Sequence, residues 1–349
     1  MLTIGQESSH PIEIDAGSKA WAVTFSANGE YIVSGHNKEV RVWGVEDGKQ
    51  LAKMETGAVN CVAVSNDGKW IAVGTLDGVF VWDAATFRQA IRHSEDEDID
   101  GVDFSPDSMR MVSSAYGNAI VWDLATRKQV QILRHQYYLR AAKYSPQGDR
   151  IATATDDGSV RLWDSNDGRL LVDIKGQVTP QYNAGLLWFN DHLLVVSDDK
   201  IKEFDAYTGS TVSESPIPKS NYLSCIALPK HRGFIAYSID DTITFWDTST
   251  HSQLALIQHP RTVRSIAFSP DDHFIAIGGA DGKITIQSIT VSVLSHWIRH
   301  IRATLRVFPY RIPSHGLVHI QLFKNLTSIS IALRSTYGNM TNSRARTCY

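Results

Sequence analysis

From residue 12 onward, short apolar runs alternate with clusters of Gly, Pro, Asn, Asp and Ser. One stretch shows the pattern whole: LRAAKY from Leu139, then SPQGD, RIATAT, DDG, SVRLWDS, NDG and RLLVDIK. The runs are β-branched and aromatic, and turn formers bound each of them, so they predict strands. No helical periodicity is sustained over a dozen residues before residue 290. The expected class is all-β.

The strands recur in units. Tripeptides of one kind stand at Val42–Gly44, Val81–Asp83, Val121–Asp123, Leu162–Asp164, Glu203–Asp205 and Phe245–Asp247. Their central aromatics, Trp43, Trp82, Trp122, Trp163, Phe204 and Trp246, are spaced by 39, 40, 41, 41 and 42 residues. A second marker precedes them: FSANG at Phe25, VSNDG at Val64, FSPDS at Phe104, YSPQG at Tyr144 and FSPDD at Phe268, with degenerate forms at Leu228 and near Phe189. The marker at Phe268 calls for a seventh aromatic where Gln287 stands. Seven copies of about 40 residues, each with four short strands, predict a propeller.

The strand before each marker has its own signature. Three residues back stand Ala22, Cys61, Gly101, Ala141, Cys225 and Ser265, all small; two back stand Val23, Val62, Val102, Ala142, Ile226 and Ile266. Alternate strand residues face opposite sides. A strand that is small on one side in six copies is crowded there, as strands converging on a central axis would be. Cys61 and Cys225 then read as small core residues.

At these markers the chain resembles the WD-repeat family of β-propellers over residues 11 to 288. Four copies carry the Trp-Asp pair itself: Trp82–Asp83, Trp122–Asp123, Trp163–Asp164 and Trp246–Asp247. The resemblance implies a seven-bladed ring of four-stranded antiparallel blades. It also implies a buried polar network in each blade, made of a His before the inner strand, a Ser or Thr, an Asp and the Trp. Buried polar groups need partners, and a satisfied network fixes strand register. Only His135 and His259 stand at the His position; Ala16, Glu55, Glu95 and Lys219 replace it elsewhere. One set is complete on paper: His135, Thr153 or Thr155, Asp157 and Trp163. His259 has Asp281, but Gly278, Gly279 and Gln287 leave that set broken.

A ring must close, because an open sheet edge offers unpaired backbone groups. Residues Pro11–Asp15 fall in the register that Gln50–Met54 occupy in the next copy, which is the outermost strand. Ile12 and Ile14 are therefore expected to complete the last blade, an N-terminal strand closing the ring. The expected domains are a lead at 1–10, the propeller at 11–288 and a basic extension at 289–349.

Composition changes the picture at the C-terminal end. Of 34 basic residues, eight lie in 289–349, which has no Asp or Glu, so the rest carries 26 basic against 37 acidic side chains. Within the extension Leu294, Trp297, Ile298, Ile301, Leu305 and Phe308 share a helical face, with Arg299, Arg302 and Arg306 elsewhere. Three readings stand: a peripheral or poorly ordered extension, a helix docking on the ring or a partner, and membrane-surface contact through 291–311. Three cysteines cannot make a disulfide framework, the N-terminus lacks an apolar leader, and no apolar run would span a bilayer. The expected location is intracellular, cytoplasmic or nuclear.

Catalytic motifs are missing. There is no G-x-S-x-G, and Gly278–Ile284 only imitates a phosphate loop, with Ile284 where Ser or Thr is required. No cofactor, metal or catalytic residue is expected, and the acidic ring gives no reason for specific nucleic-acid binding. The WD-repeat resemblance implies a non-catalytic scaffold that presents one end of the ring to a protein or peptide. The loops at that end carry Ser18, Lys19, Glu97, Asp98, Tyr137, Tyr138, Asn221, Tyr222 and Arg261. Exposed Tyr and Arg have the composition of interface anchors. The rival expectation is a small-molecule sensor or an enzyme that uses the central channel.

Overall fold

A buried serine organises five of the marker turns. The Ser65 hydroxyl donates to Asp67 at 2.7 Å and accepts the Trp70 N–H at 3.0 Å. Ser105 does the same with Asp107 and the Arg110 N–H, Ser145 with Asp149 and the Arg150 N–H, and Ser269 with Asp271 and the Phe274 N–H. The turn also needs a left-handed residue, which Gly29, Gly68 and Gly148 supply at φ 75°, 71° and 78°. The Asp that follows the repeat aromatic has a separate task. Asp83, Asp123, Asp205 and Asp247 each accept the N–H of a Thr three residues on, at 2.7 to 2.8 Å, and so shape the next turn.

The computed structural model describes residues 11–93, 98–175, 185–196, 200–217, 223–230, 233–248 and 250–289, with Leu223 and Ser224 through their backbone only. The expected lead at 1–10 and the extension beyond Ile289 lie outside the described residues. All strands pair antiparallel. After β1 (Ile12–Asp15) come β2 (Ala22–Phe25), β3 (Tyr31–Gly35), β4 (Glu39–Gly44) and β5 (Gln50–Glu55), which form one sheet. The next sheet holds β6 (Val59–Val64), β7 (Trp70–Thr75), β8 (Gly78–Asp83) and β9 (Gln89–His93).

A six-stranded sheet follows. It runs β10 (Gly101–Phe104), β11 (Arg110–Asp123), β12 (Lys128–Tyr144), β13 (Arg150–Thr155), β14 (Val160–Asp164) and β15 (Leu170–Ile174). Then come two four-stranded sheets. The first holds β16 (Gly185–Phe189), β17 (His192–Val196), β18 (Lys200–Asp205) and β19 (Thr211–Pro216). The second holds β20 (Leu223–Ala227), β21 (Phe234–Ile239), β22 (Thr242–Asp247) and β23 (Ser252–Gln258). The last has β24 (Val263–Phe268), β25 (Phe274–Gly279), β26 (Lys283–Ser288) and, as its outer strand, β1. Ile12 sits opposite Ile286 and Ile14 opposite Ile284.

The propeller is therefore all-β, but its strands form six hydrogen-bonded sheets rather than the seven separate blades expected. Five have four strands and one has six. The cause is local. β11 continues through Tyr116 and Gly117, and β12 continues from the outer strand of the Trp122 copy straight into the inner strand of the Trp163 copy. Tyr116 pairs with Tyr138 across the junction, so the two copies share one sheet.

Inner strands pack side by side around the axis. β2 meets β6, β6 meets β10, β10 meets β12, β12 meets β16, β16 meets β20, β20 meets β24, and β24 returns to β2. Apolar clusters fill the seams between neighbouring layers. One is Ile14, Val23, Phe25, Ile284 and Ile286, where the N-terminal strand is locked in. Crowding at the inner edge is visible at Gly101, where an added Cβ would stand 2.9 Å from the Ser114 hydroxyl and 3.2 Å from the Ala142 backbone. Among the described residues no helix is long and apolar enough to cross a membrane.

Candidate functional site: the mouth of the axial channel

The inner strands leave a cavity of about 220 Å³ along the axis. The small residues three places before each marker line it, and so do the residues one place earlier: Trp21, Asn60, Asp100, Arg140 and Arg264. Strand alternation puts these five on one face at one level, so they form a polar and aromatic ring at one end. Cys61 and Cys225 also line the cavity, and burial pushes both thiols up to about 12, so neither supplies thiolate near neutral pH.

Arg140 holds one arc of the ring together. Its Nη1 donates to Asp100 at 2.9 Å, while Nε and Nη2 donate to the two oxygens of Asp156 at 2.6 and 3.1 Å. Its guanidinium lies 4.5 Å from the Tyr138 ring centroid. Asn60 donates to the other Asp100 oxygen at 3.2 Å. Burial raises the Asp100 carboxyl above its ordinary range, against the pull of Arg140. One level down, Lys143 reaches Asp103 at 3.2 Å, and Asp103 accepts the Tyr144 N–H at 2.8 Å.

The opposite arc is aromatic and cationic. Arg264 stacks 5.0 Å from the Trp21 ring centroid, and Lys19 approaches the same ring at 5.6 Å. Trp21 is fixed by its indole N–H, which donates to Asn37 at 2.8 Å.

Of the expected contact residues, Asp98, Tyr137, Tyr138 and Arg261 are among those described. Tyr137 is 47% exposed, and Asp98 and Arg261 are exposed. Tyr138 is half-buried, packing edge-on against Tyr116 at 5.8 Å and donating to the Asp98 carbonyl at 3.5 Å. Glu97, Asn221 and Tyr222 lie outside the described residues. Tyr116, absent from the sequence expectation, is 60% exposed beside Tyr138.

The network expected around Trp163 divides into three parts. The indole N–H donates to Thr153 at 2.9 Å. Thr155 donates to Asp157, which also accepts from the Ser159 N–H and hydroxyl, closing the turn between β13 and β14. His135 stands edge-on to Trp163 at 5.1 Å and meets Arg161 through Nδ1, while its Nε2 is buried with no partner. Burial, with Arg161 beside it, lowers the His135 pKa to about 4. His259 is buried, with Nδ1 at the Arg261 carbonyl.

A connected chain exists in the first copy instead. Trp43 donates to Ser34 at 2.8 Å, Ser34 meets His36 Nε2 at 2.9 Å, and His36 Nδ1 meets the Ser18 hydroxyl at 3.0 Å and the Lys19 carbonyl at 3.0 Å. His36 is 1% exposed, and burial followed by Arg41 lowers its pKa. Sequence reasoning missed it because it searched before the inner strand, whereas His36 follows β3 in the Ser-Gly-His run. The ring residues Trp21, Asn60, Asp100, Arg140 and Arg264 were findable by one further step back from the marker.

Among the described residues no group of three or more His, Cys, Asp or Glu is placed to hold a metal ion. The family model of the first β-propeller of IFT122 matches residues 19–288. Among curated proteins, mouse apoptotic protease-activating factor 1 is 24% identical over 68% of this chain and 18% of its own length. Zebrafish WD repeat-containing protein 18 is 22% identical over 70% and 63%, and groucho of Drosophila melanogaster is 25% identical over 78% and 39%. The chain thus spans under two thirds of these relatives. The repeat spacing, the propeller and the matching family model together show that this chain belongs to the WD-repeat β-propeller family.

Proposed function

We propose that the protein is a non-catalytic interaction scaffold whose channel mouth is the surface offered to a protein or peptide partner. The observation that carries this reading is the exposure of Tyr116 and Tyr137, at 60 and 47%, beside the polar ring. Large, half-anchored aromatics beside charged groups are what interface centres use. Cys61, half-buried, and Cys225, buried, are both free, which accords with the intracellular location expected. The acidic balance of the ring disfavours nucleic acid, because phosphate contacts need unpaired cations.

A second reading, a sensor or enzyme working in the channel, has one observation in its favour: Asp100, Arg140 and Asp156 converge there, with the Asp100 pKa raised. Against it, Arg140 is already satisfied by two carboxylates. The cavity, at about 220 Å³, is also smaller than the roughly 300–1,000 Å³ of ordinary ligand pockets.

Quantitative affinity purification of the full chain beside the Tyr116→Ala/Tyr137→Ala double variant tests the scaffold reading. At least one partner should be recovered several-fold less well by the variant. Equal recovery of every partner would remove this face from consideration.

A further inference from the structure

Two arginines line the axial cavity, and their circumstances are opposite. Arg140 is clamped by Asp100 and Asp156. Arg264 has no hydrogen bond or ion pair with any described residue, and its Nε is fully buried without a partner. The residue as a whole is only half-buried, but a desolvated N–H without an acceptor is costly, and the cost falls when an anion arrives to accept from it. The guanidinium is nevertheless held ready. It lies on Trp21, whose ring is pinned through its indole to Asn37, with Lys19 on the same ring. Pre-orientation of this kind lowers the ordering cost of binding.

Resting on the scaffold reading and deepening it, we propose that the Arg264 side of the cavity binds a carboxylate that enters from the channel mouth, carried by the chain terminus of a partner or by a free small acid. A planar guanidinium matches a carboxylate with two parallel hydrogen bonds. The site favours carboxylate over phosphate for reasons of charge. One unpaired guanidinium balances one negative charge, and Asp100 across the same cavity repels a dianion more strongly than a monoanion. The cavity volume suits the tip of a chain, with the exposed Tyr116 and Tyr137 left to meet the residues behind it.

The test uses the full chain and side-chain NMR signals of Arg264 Nε–H and the Trp21 indole, assigned with R264K and W21F. Four probes are titrated: a Gly-Ser peptide with a free C-terminal carboxylate, the same peptide amidated, acetate, and inorganic phosphate. The free-carboxylate peptide should move both signals, the amidated peptide should not, and R264Q should weaken binding at least tenfold with its melting temperature preserved. R264K should retain part of the affinity, and it replaces R264Q if that variant does not fold. Acetate acting as strongly as the peptide assigns the site to a free small acid, and acetate acting much more weakly assigns it to a chain terminus. Silence to every probe, phosphate binding more tightly than carboxylate, or equal binding by the amidated peptide would overturn the proposal. Those results leave the Tyr116 and Tyr137 purification untouched, so the two readings fail separately.

Discussion

The copies that carry Trp43 and Trp163 face the same problem, a buried indole N–H that must find an acceptor, and they solve it with different neighbours. In the first, Ser34 accepts from Trp43 and also meets His36, which is tied in turn to Ser18 and the Lys19 carbonyl, so β3 and β4 are stitched to the loop before β2 through one chain of bonds. In the second, Thr153 accepts from Trp163 and the chain stops there. His135 contributes a ring edge and an Arg161 contact instead, while Asp157 serves its own turn. What the blade requires is an acceptor for the indole. The histidine that extends the chain is present in the first copy and has no counterpart in the second.

The comparison breaks most readily at Ser34. Ser34→Ala should orphan both the Trp43 indole and His36, at a cost of roughly 2–4 kcal/mol. Thr153→Val orphans one indole and should cost about 1–2 kcal/mol. For a ring of this size each kcal/mol lowers the melting temperature by about 2–4 °C. Calorimetry of the two variants should rank Ser34→Ala below Thr153→Val; the reverse order would mean that the connected chain adds nothing.

A separate effect is carried by pH at His135. The folded pKa of His135, about 4, lies below the unfolded value near 6.5, so the unfolded chain binds the proton first. The stability from neutral His135 is complete above about pH 6.5 and is lost as the pH falls toward 4. His135→Gln should flatten denaturant midpoints between those limits and change them little at pH 7.5. An unchanged slope would remove His135 from the acid response.

Much of this was legible in the chain. The forty-residue spacing works because each copy repeats the same two turns, the serine-centred one after Phe25, Val64, Phe104, Tyr144 and Phe268, and the Asp-capped one after the aromatic. Side-chain-to-backbone bonds within a few residues leave a local signature. That Ile12 and Ile14 form an outer strand could be read, but the expected register was one residue off: Ile14 pairs with Ile284 as Met54 pairs with Val40, so Met54 and Ala52, not Lys53 and Leu51, are the copy-mates of Ile14 and Ile12. Less legible was everything that depends on where a strand fails to stop. Nothing between Arg134 and Tyr138 marks a join, so the six-stranded sheet was invisible to a count of copies. The mouth was half legible: Tyr137 and Tyr138 stood out as a pair, whereas the Asp100–Arg140–Asp156 cluster joins the approach to β10, strand β12 and the turn after β13, and only the fold brings them together.

Ring closure by the N-terminal strand is what gives the mouth its fixed geometry, and hydrogen exchange tests it most directly. Amides of Lys283–Ser288 should be strongly protected in the full chain, since β26 is then covered by β1 on one side and β25 on the other. In a chain lacking residues 1–16 those amides should exchange much faster than the amides of β7 and β8, and the melting temperature should fall by many degrees. Equal protection of Lys283–Ser288 in both chains, with unchanged melting, would contradict the closure and the rigid mouth that depends on it.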